Sequence, residues 1–194
     1  MKYLITTIAA TLLLGCGESQ QSAPAPEVKP TEPIAEAVKP ELPTAKAPDI
    51  SIHEAVKEGN IEAVKQHLAA GTYINSRNSG NEWTPLHVAS FEGNKKIVKL
   101  LVAEGADVDA RDRLSDRPIH YAITYKYKDI VELLISKSAD VNAKNAAKYT
   151  PLHFAIRDDN KKFAELLIAN GADVNAIDVI DSTPLDSAIE YKHT

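Results

Sequence analysis

Three histidines, His87, His120 and His153, stand 33 residues apart, each two places after a proline. Imidazoles at a fixed spacing raise two chemistries, metal ligation and proton shuttling. Asp107, Asp140 and Asp173 recur at the same step, with Asp109 beside the first. Paired carboxylates can divide acid and base work, provided a closed cleft separates their pKa values. The one cysteine, Cys16, leaves no disulfide possible within a single copy. No G-x-S-x-G, no H-E-x-x-H and no phosphate-cradling glycine loop is present.

The elements that must position these residues decide the matter. Prolines at 85, 118, 151 and 184 open near-copies of one phrase: Thr84-Pro85-Leu86-His87, Arg117-Pro118-Ile119-His120, Thr150-Pro151-Leu152-His153 and Thr183-Pro184-Leu185-Asp186. The second half of the unit repeats as strictly. Ile97 to Val102 is followed by Ile130 to Ile135 and Phe163 to Ile168, and each run closes on a version of Gly-Ala-Asp-Val-Asp-Ala, starting at Gly105, Ser138 and Gly171. A fixed period of this length is one supersecondary unit stacked on its own copies. Proline suits the first turn of a helix, and Thr before it serves as N-cap. A first helix is therefore predicted from Thr84 to the turn pair Gly93-Asn94, and a second from about Lys95 to Ala103, stopped by Gly105. Ile97, Val98, Leu100, Leu101 and Val102 spread around most of that second helix, so neighbouring copies must bury it on more than one side. Equivalent helices in such a stack lie about 8–10 Å apart, too far for the three histidines to share an ion. The aspartates fall in a loop phrase where Asp and Asn close turns through their own side chains. No cofactor or metal site and no catalytic residue is expected.

This unit resembles the ankyrin repeat, and the resemblance covers about residues 49–194. It implies an all-α solenoid of about four and a half stacked helix-turn-helix units with hairpin-like loops. For the recurring histidine it implies a structural bond to neighbouring backbone and to the Thr hydroxyl. The first repeat begins at Ile50 with a step of 34, because loop 76–83 carries one extra residue. Gln66 and His67 replace Leu100 and Leu101 there, as expected of an end that faces water; His53, His67 and His193 read as isolated. The third repeat departs most: Arg117 replaces the capping Thr, while Lys126 and Ser138 replace turn glycines. It should be the least stable internal unit. The fifth repeat holds only a first helix, Thr183 to about Tyr191.

Positions that differ between copies are free of the repeating core. They gather in two sets expected on the inner, concave side: Trp83, Leu114, Asp116, Tyr149 and Ile180 at the loop tips, and Phe91, Glu92, Thr124, Tyr125, Arg157, Asp158, Glu190 and Tyr191 at the ends of first helices. Aromatic side chains and Arg dominate interface energies. Trp83, Phe91, Leu114, Tyr125, Tyr149, Arg157, Ile180 and Tyr191 are therefore the expected partner-binding residues. The bland reading of Trp83 is packing over its own hairpin.

The N-terminus has another character. Lys2, an apolar run over 3–14 and Leu13-Leu14-Gly15-Cys16 read as an export signal over residues 1–15, too short to span a bilayer as a mature helix. Its ending resembles a bacterial lipobox, which implies acylation of Cys16; a signal cut elsewhere is the other reading. Gly17 in place of the inner-membrane retention Asp favours the outer membrane. Residues 16–48 contain seven of the eleven prolines and few large apolar side chains, the composition of an extended tether. A net charge of −5, with no Lys/Arg stripe on any predicted helix, argues against a nucleic-acid partner. The expectation is a monomeric, lipid-anchored binding module of the bacterial cell envelope, facing the periplasm, with a protein as partner and no enzymatic activity. An immunity or accessory protein for a toxin or envelope enzyme is one alternative, and a structural envelope scaffold the other.

Overall fold

The structure, a computed structural model, describes residues 46–191; the export signal, Cys16 and the tether up to residue 45 lie outside the described residues, as does His193. Among those described are nine helices and no strand: α1 Ile52–Lys57, α2 Ile61–Ala69, α3 Pro85–Phe91, α4 Lys95–Ala103, α5 Pro118–Thr124, α6 Lys128–Ser136, α7 Pro151–Arg157, α8 Lys161–Ala169 and α9 Pro184–Glu190. First helices pack on first helices (α1 on α3, α3 on α5, α5 on α7, α7 on α9), and each of the first four also packs on the second helix of its own repeat.

Local chemistry sets the lengths. Thr84 is extended (φ −81°, ψ 164°), and its hydroxyl accepts the backbone N–H of His87. Helices α1, α3, α5 and α7 then stop within two turns at a left-handed residue: Gly59, Gly93, Lys126 or Asp159. Gly93 is required twice over, since φ is +73° and a Cβ would meet the Tyr127 ring at 2.4 Å. Second helices open on Asn60, Asn94 and Asn160, whose side-chain oxygens accept the N–H three residues on. Left-handed Gly71, Gly105, Ser138 and Gly171 follow their ends. Between repeats lies a hairpin organised by an Asx residue. The Oδ1 of Asp112 accepts the N–H groups of Leu114 and Asp116, that of Asn145 those of Ala147 and Tyr149, and that of Asp178 those of Ile180 and Ser182. Before each closing residue stands another left-handed, non-glycine residue: Glu82, Ser115, Lys148 or Asp181. The sequence pattern does not announce these four, because no glycine marks them.

The core repeats as predicted. Leu86, Ile119 and Leu152 from first helices meet Ile97, Leu101, Ile130, Leu134 and Leu167 from second helices, all buried. Three expectations for the first repeat need correction. Helix α1 starts one position late, with Ser51 capping it from the proline's place. His67 does not face water; it is 5% exposed, with Nε2 at 2.8 Å from the Ile50 carbonyl and Nδ1 at 3.2 Å from the Thr72 hydroxyl. A polar residue in a core position survives because both ring nitrogens are bonded. Nor is His53 isolated, for its Nε2 lies 3.0 Å from the Ser76 carbonyl and 2.9 Å from that of Trp83.

Candidate interaction surface

The recurring histidines form a frame. The Thr84 N–H donates to His87 Nδ1 at 3.1 Å, and the Thr84 hydroxyl lies 2.9 Å from the same atom. Nε2 faces the Asp116 carbonyl at 3.1 Å, one repeat along. His120 takes the Arg117 N–H at 2.9 Å and faces Ala143; His153 takes the Thr150 N–H and faces Ser182. An Nδ1 that accepts and an Nε2 that donates describe one neutral tautomer. Burial, which penalises the imidazolium, lowers the pKa of all three, that of His120 to about 4. Each ring thus ties a first helix to the loop segment that leads into the next repeat. Asp186 does the local half of this work in α9, its carboxylate accepting the N–H and hydroxyl of Thr183; these bonds hold its pKa down.

Arg117 gives up the cap and gains a bridge. Its buried guanidinium donates to Asp109 Oδ1 and Asp140 Oδ2, both at 3.1 Å. The recurring aspartates and their Asn counterparts form links between successive loops. Asn75 accepts the N–H of Asp107, Asp109 that of Asp140, and Asn142 that of Asp173. Among the described residues no group of three or more His, Cys, Asp or Glu is placed to hold a metal ion, and no helix is long and apolar enough to cross a membrane.

The eight expected partner-binding residues divide into two groups and one outlier. Trp83, Phe91 and Tyr125 belong to one aromatic array, with ring centroids 5.1 Å apart for Trp83–Phe91 and 4.5 Å for Phe91–Tyr125. Tyr121 and Tyr127 complete it, at 4.8 Å from Trp83 and 6.4 Å from Tyr125. Tyr149, Arg157, Ile180 and Tyr191 line one cleft with Phe154, between repeats four and five. There the Arg157 guanidinium lies 4.7 Å from the Phe154 ring centre and bonds Asp158. Leu114 stands on a hairpin tip, 60% exposed.

The expectation of uniform exposure fails for four of these residues. Trp83, Phe91, Tyr149 and Arg157 are half-buried, and Trp83 and Tyr149 pack on the core. Trp83 also donates its indole N–H to Asp112 Oδ2 at 3.0 Å, and the Tyr121 hydroxyl donates to the same oxygen at 2.6 Å. Packing over a hairpin is therefore right for Trp83, but the hairpin is the next repeat's. Asp116, at a tip in sequence, is buried with its carboxylate accepting from Asn145, and burial raises its pKa. Leu114, Tyr125, Ile180 and Tyr191 are the exposed members, at 60%, 44%, 71% and 49%. Sequence reasoning passed over Tyr121 and Tyr127. Tyr121 shares a repeat position with Val88 and Phe154 and so reads as core, whereas Tyr127 in place of Asn94 and Asn160 was a visible departure.

Paired short helices linked by Asx-closed hairpins, with the polar side chains committed to joining copies, define an all-α repeat solenoid. The family profile for ankyrin repeats in three copies matches residues 52–145, and that for ankyrin repeats in many copies matches residues 135–188; the chain belongs to the ankyrin-repeat family. It is 41% identical over 68 residues to human protein phosphatase 1 regulatory subunit 27, across 35% of this chain and 44% of that protein. It is similar, at 44% over 66 residues, to a putative ankyrin repeat protein of fowlpox virus, across 32% of this chain and 16% of that one. A 62-residue stretch is 44% identical to a glycerophosphocholine phosphodiesterase of Schizosaccharomyces pombe, of which it spans 6%. The matched stretch spans less than half the length of each of these relatives.

Proposed function

We propose that the chain is a non-catalytic module that holds a protein partner on the face formed by its hairpin tips and first-helix ends. The observation that carries this reading is the pairing of exposed apolar and aromatic side chains with a rigid base. Leu114 and Ile180 project from hairpins that Asp112 and Asp178 close, and Tyr125 and Tyr191 cap the C-terminal ends of α5 and α9. Pre-ordered aromatic anchors lose little conformational entropy on binding. That one relative is named as a regulatory subunit of a phosphatase agrees with a binding role. Among the described residues the recurring histidines and aspartates are committed to bonds between and within repeats, which supports a binding role over a catalytic one. Export and acylation of Cys16, read from the N-terminal sequence, place the module on the periplasmic side of a bacterial membrane, the outer one favoured by Gly17.

Crosslinking on intact membranes, followed by mass spectrometry, identifies the partner. Tyr125→Ala combined with Ile180→Ala should weaken its capture at least about tenfold, which requires only about 1.4 kcal/mol. The control, Lys99→Ala with Glu132→Ala on exposed sites of α4 and α6, should bind normally. Equal capture by both double mutants rules out this face.

A further inference from the structure

Arg117 shows how a guanidinium seats between two successive loops. Its Nη1 donates to Asp109 Oδ1 and to Asp140 Oδ2. The Asp140 N–H donates to Asp109 Oδ1 at 3.1 Å, and Asp140 Oδ1 accepts the Asn142 N–H at 2.9 Å. One repeat earlier the same frame stands without that occupant. The Asp107 N–H donates to Asn75 Oδ1 at 2.9 Å, and Asp107 Oδ1 accepts the Asp109 N–H at 3.0 Å. Thr84 holds the place of Arg117, and its short side chain turns to His87. A cavity of about 310 Å³ remains, lined by Tyr73, Asn75, Ser76, Arg77, Thr84 and Asp107. Asp107 Oδ2, the counterpart of the oxygen that Arg117 reaches in Asp140, accepts no hydrogen bond among the described residues.

Two residues set this cavity apart from its copies. Ser76 replaces the alanine found later as Ala110, Ala143 and Ala176, and its buried hydroxyl has no hydrogen-bond partner. Buried polar atoms are nearly always bonded, so an orphaned one calls for an explanation. Tyr73 replaces the aspartate found later as Asp107, Asp140 and Asp173, and it is 69% exposed. At the seam of repeats three and four Thr150 returns, but Asp140 there already serves Arg117.

We infer that this cavity binds the arginine side chain of a partner protein, its guanidinium donating to Asp107 Oδ2 and Asn75 Oδ1 and lying against Tyr73. Arginine is specified over lysine because its rigid fork reaches two acceptors while its plane stacks on an aromatic ring. Arg77 on the cavity wall is paired with Glu82 at 3.0 Å, and its counterpart Arg111 coexists with the Arg117 guanidinium one repeat on. The five arginines of the sequence, Arg77, Arg111, Arg113, Arg117 and Arg157, all have described places, and residues 1–45 and 192–194 contain none. None of the eight residues of the candidate face lines the cavity. Only the source of the arginine rests on the proposed binding role.

The probe is N-acetyl-arginine amide, added to the isotope-labelled full chain and followed by amide NMR. The resonances of Asn75 and Asp107, with the Asn75 side-chain amide, should shift saturably. Asp107→Asn should weaken binding at least about tenfold, and Tyr125→Ala should leave it unchanged. Thr84→Arg should abolish it, because the chain's own guanidinium then fills the cavity. Asp107 is exposed, so its variant decides the matter even if Thr84→Arg fails to fold. N-acetyl-citrulline amide, neutral and similar in shape, should not bind. On intact membranes Asp107→Asn should reduce crosslinking to the partner. Absence of saturable shifts up to about 100 mM, equal binding of the citrulline probe, or unchanged binding by Asp107→Asn overturns the inference. So does tighter binding of free arginine than of the blocked probe, because the site would then take a small molecule. Unchanged crosslinking by Asp107→Asn overturns it too, whereas crosslinking lost only in Tyr125→Ala with Ile180→Ala upholds the candidate face alone.

Discussion

Protonating His120 would remove the acceptor that the Arg117 N–H uses at 2.9 Å and place a charge in a site 1% exposed. Its folded-state pKa is lowered from 6.5 to about 4, so the unfolded chain takes up this proton first. The stabilisation is full above about pH 6.5 and is lost as pH falls towards 4, by an amount on the order of 3 kcal/mol. His87 and His153 shift in the same direction and add to the trend. Urea unfolding followed at about pH 7.5 and about pH 4.5 should show the midpoint falling with acidity; a constant midpoint contradicts the buried neutral rings. Ser138, at φ 65°, pays for a left-handed backbone that glycine adopts freely, and Ser138→Gly should raise the midpoint by roughly 0.5–1 kcal/mol. At this scale the sequence was a partial guide. Ser138 and Lys126 stood out because glycine fills their place in other copies. Asp159, left-handed at φ 50°, fills a glycine place as well and drew no notice. His67 looked like surface because its type is polar, and only the Ile50 carbonyl and Thr72 hydroxyl around it make burial tolerable.

Helices carried the clearest signals. Thr-Pro starts, the turn pair Gly93-Asn94 and a strict apolar pattern placed α3, α4 and α9 within about a residue of where they lie. The hairpins were opaque, since Asx closure and a left-handed Glu82, Ser115, Lys148 or Asp181 leave no common residue type to follow. Within α6, Leu134 is fully covered. Leu134→Ala should cost roughly 2–5 kcal/mol in chemical denaturation. Repeat three has its own compensation for the lost Thr cap, in the Arg117 bridge to Asp109 and Asp140. Arg117→Thr would restore a cap yet remove both charged bonds, leaving the two loops joined through the Asp140 N–H to Asp109. A net loss of stability, measured the same way, is expected, because a bond from one charged group to two carboxylates outweighs a cap worth about 1 kcal/mol; a gain would show the bridge to be idle.

For the whole molecule, the anchoring proposal has a direct test: Cys16→Ser should move the protein from the membrane pellet to the soluble fraction, since acyl chains supply the hold. A mutant that still pellets after a high-salt wash contradicts acylation. Stacked repeats touch only their neighbours, so stability need not be uniform along them. Trp83, the sole tryptophan, then acquires a meaning beyond packing. Its indole bonds Asp112 and lies against Phe91 and Tyr121, at the seam of repeats two and three. Tryptophan emission therefore watches a single seam, while far-ultraviolet dichroism averages every helix. Where a unit away from that seam yields first, dichroism should begin to fall at lower denaturant than emission does. One protein thus carries a local and a global thermometer, and the gap between their readings measures how far unfolding has crept along the stack before it reaches the seam.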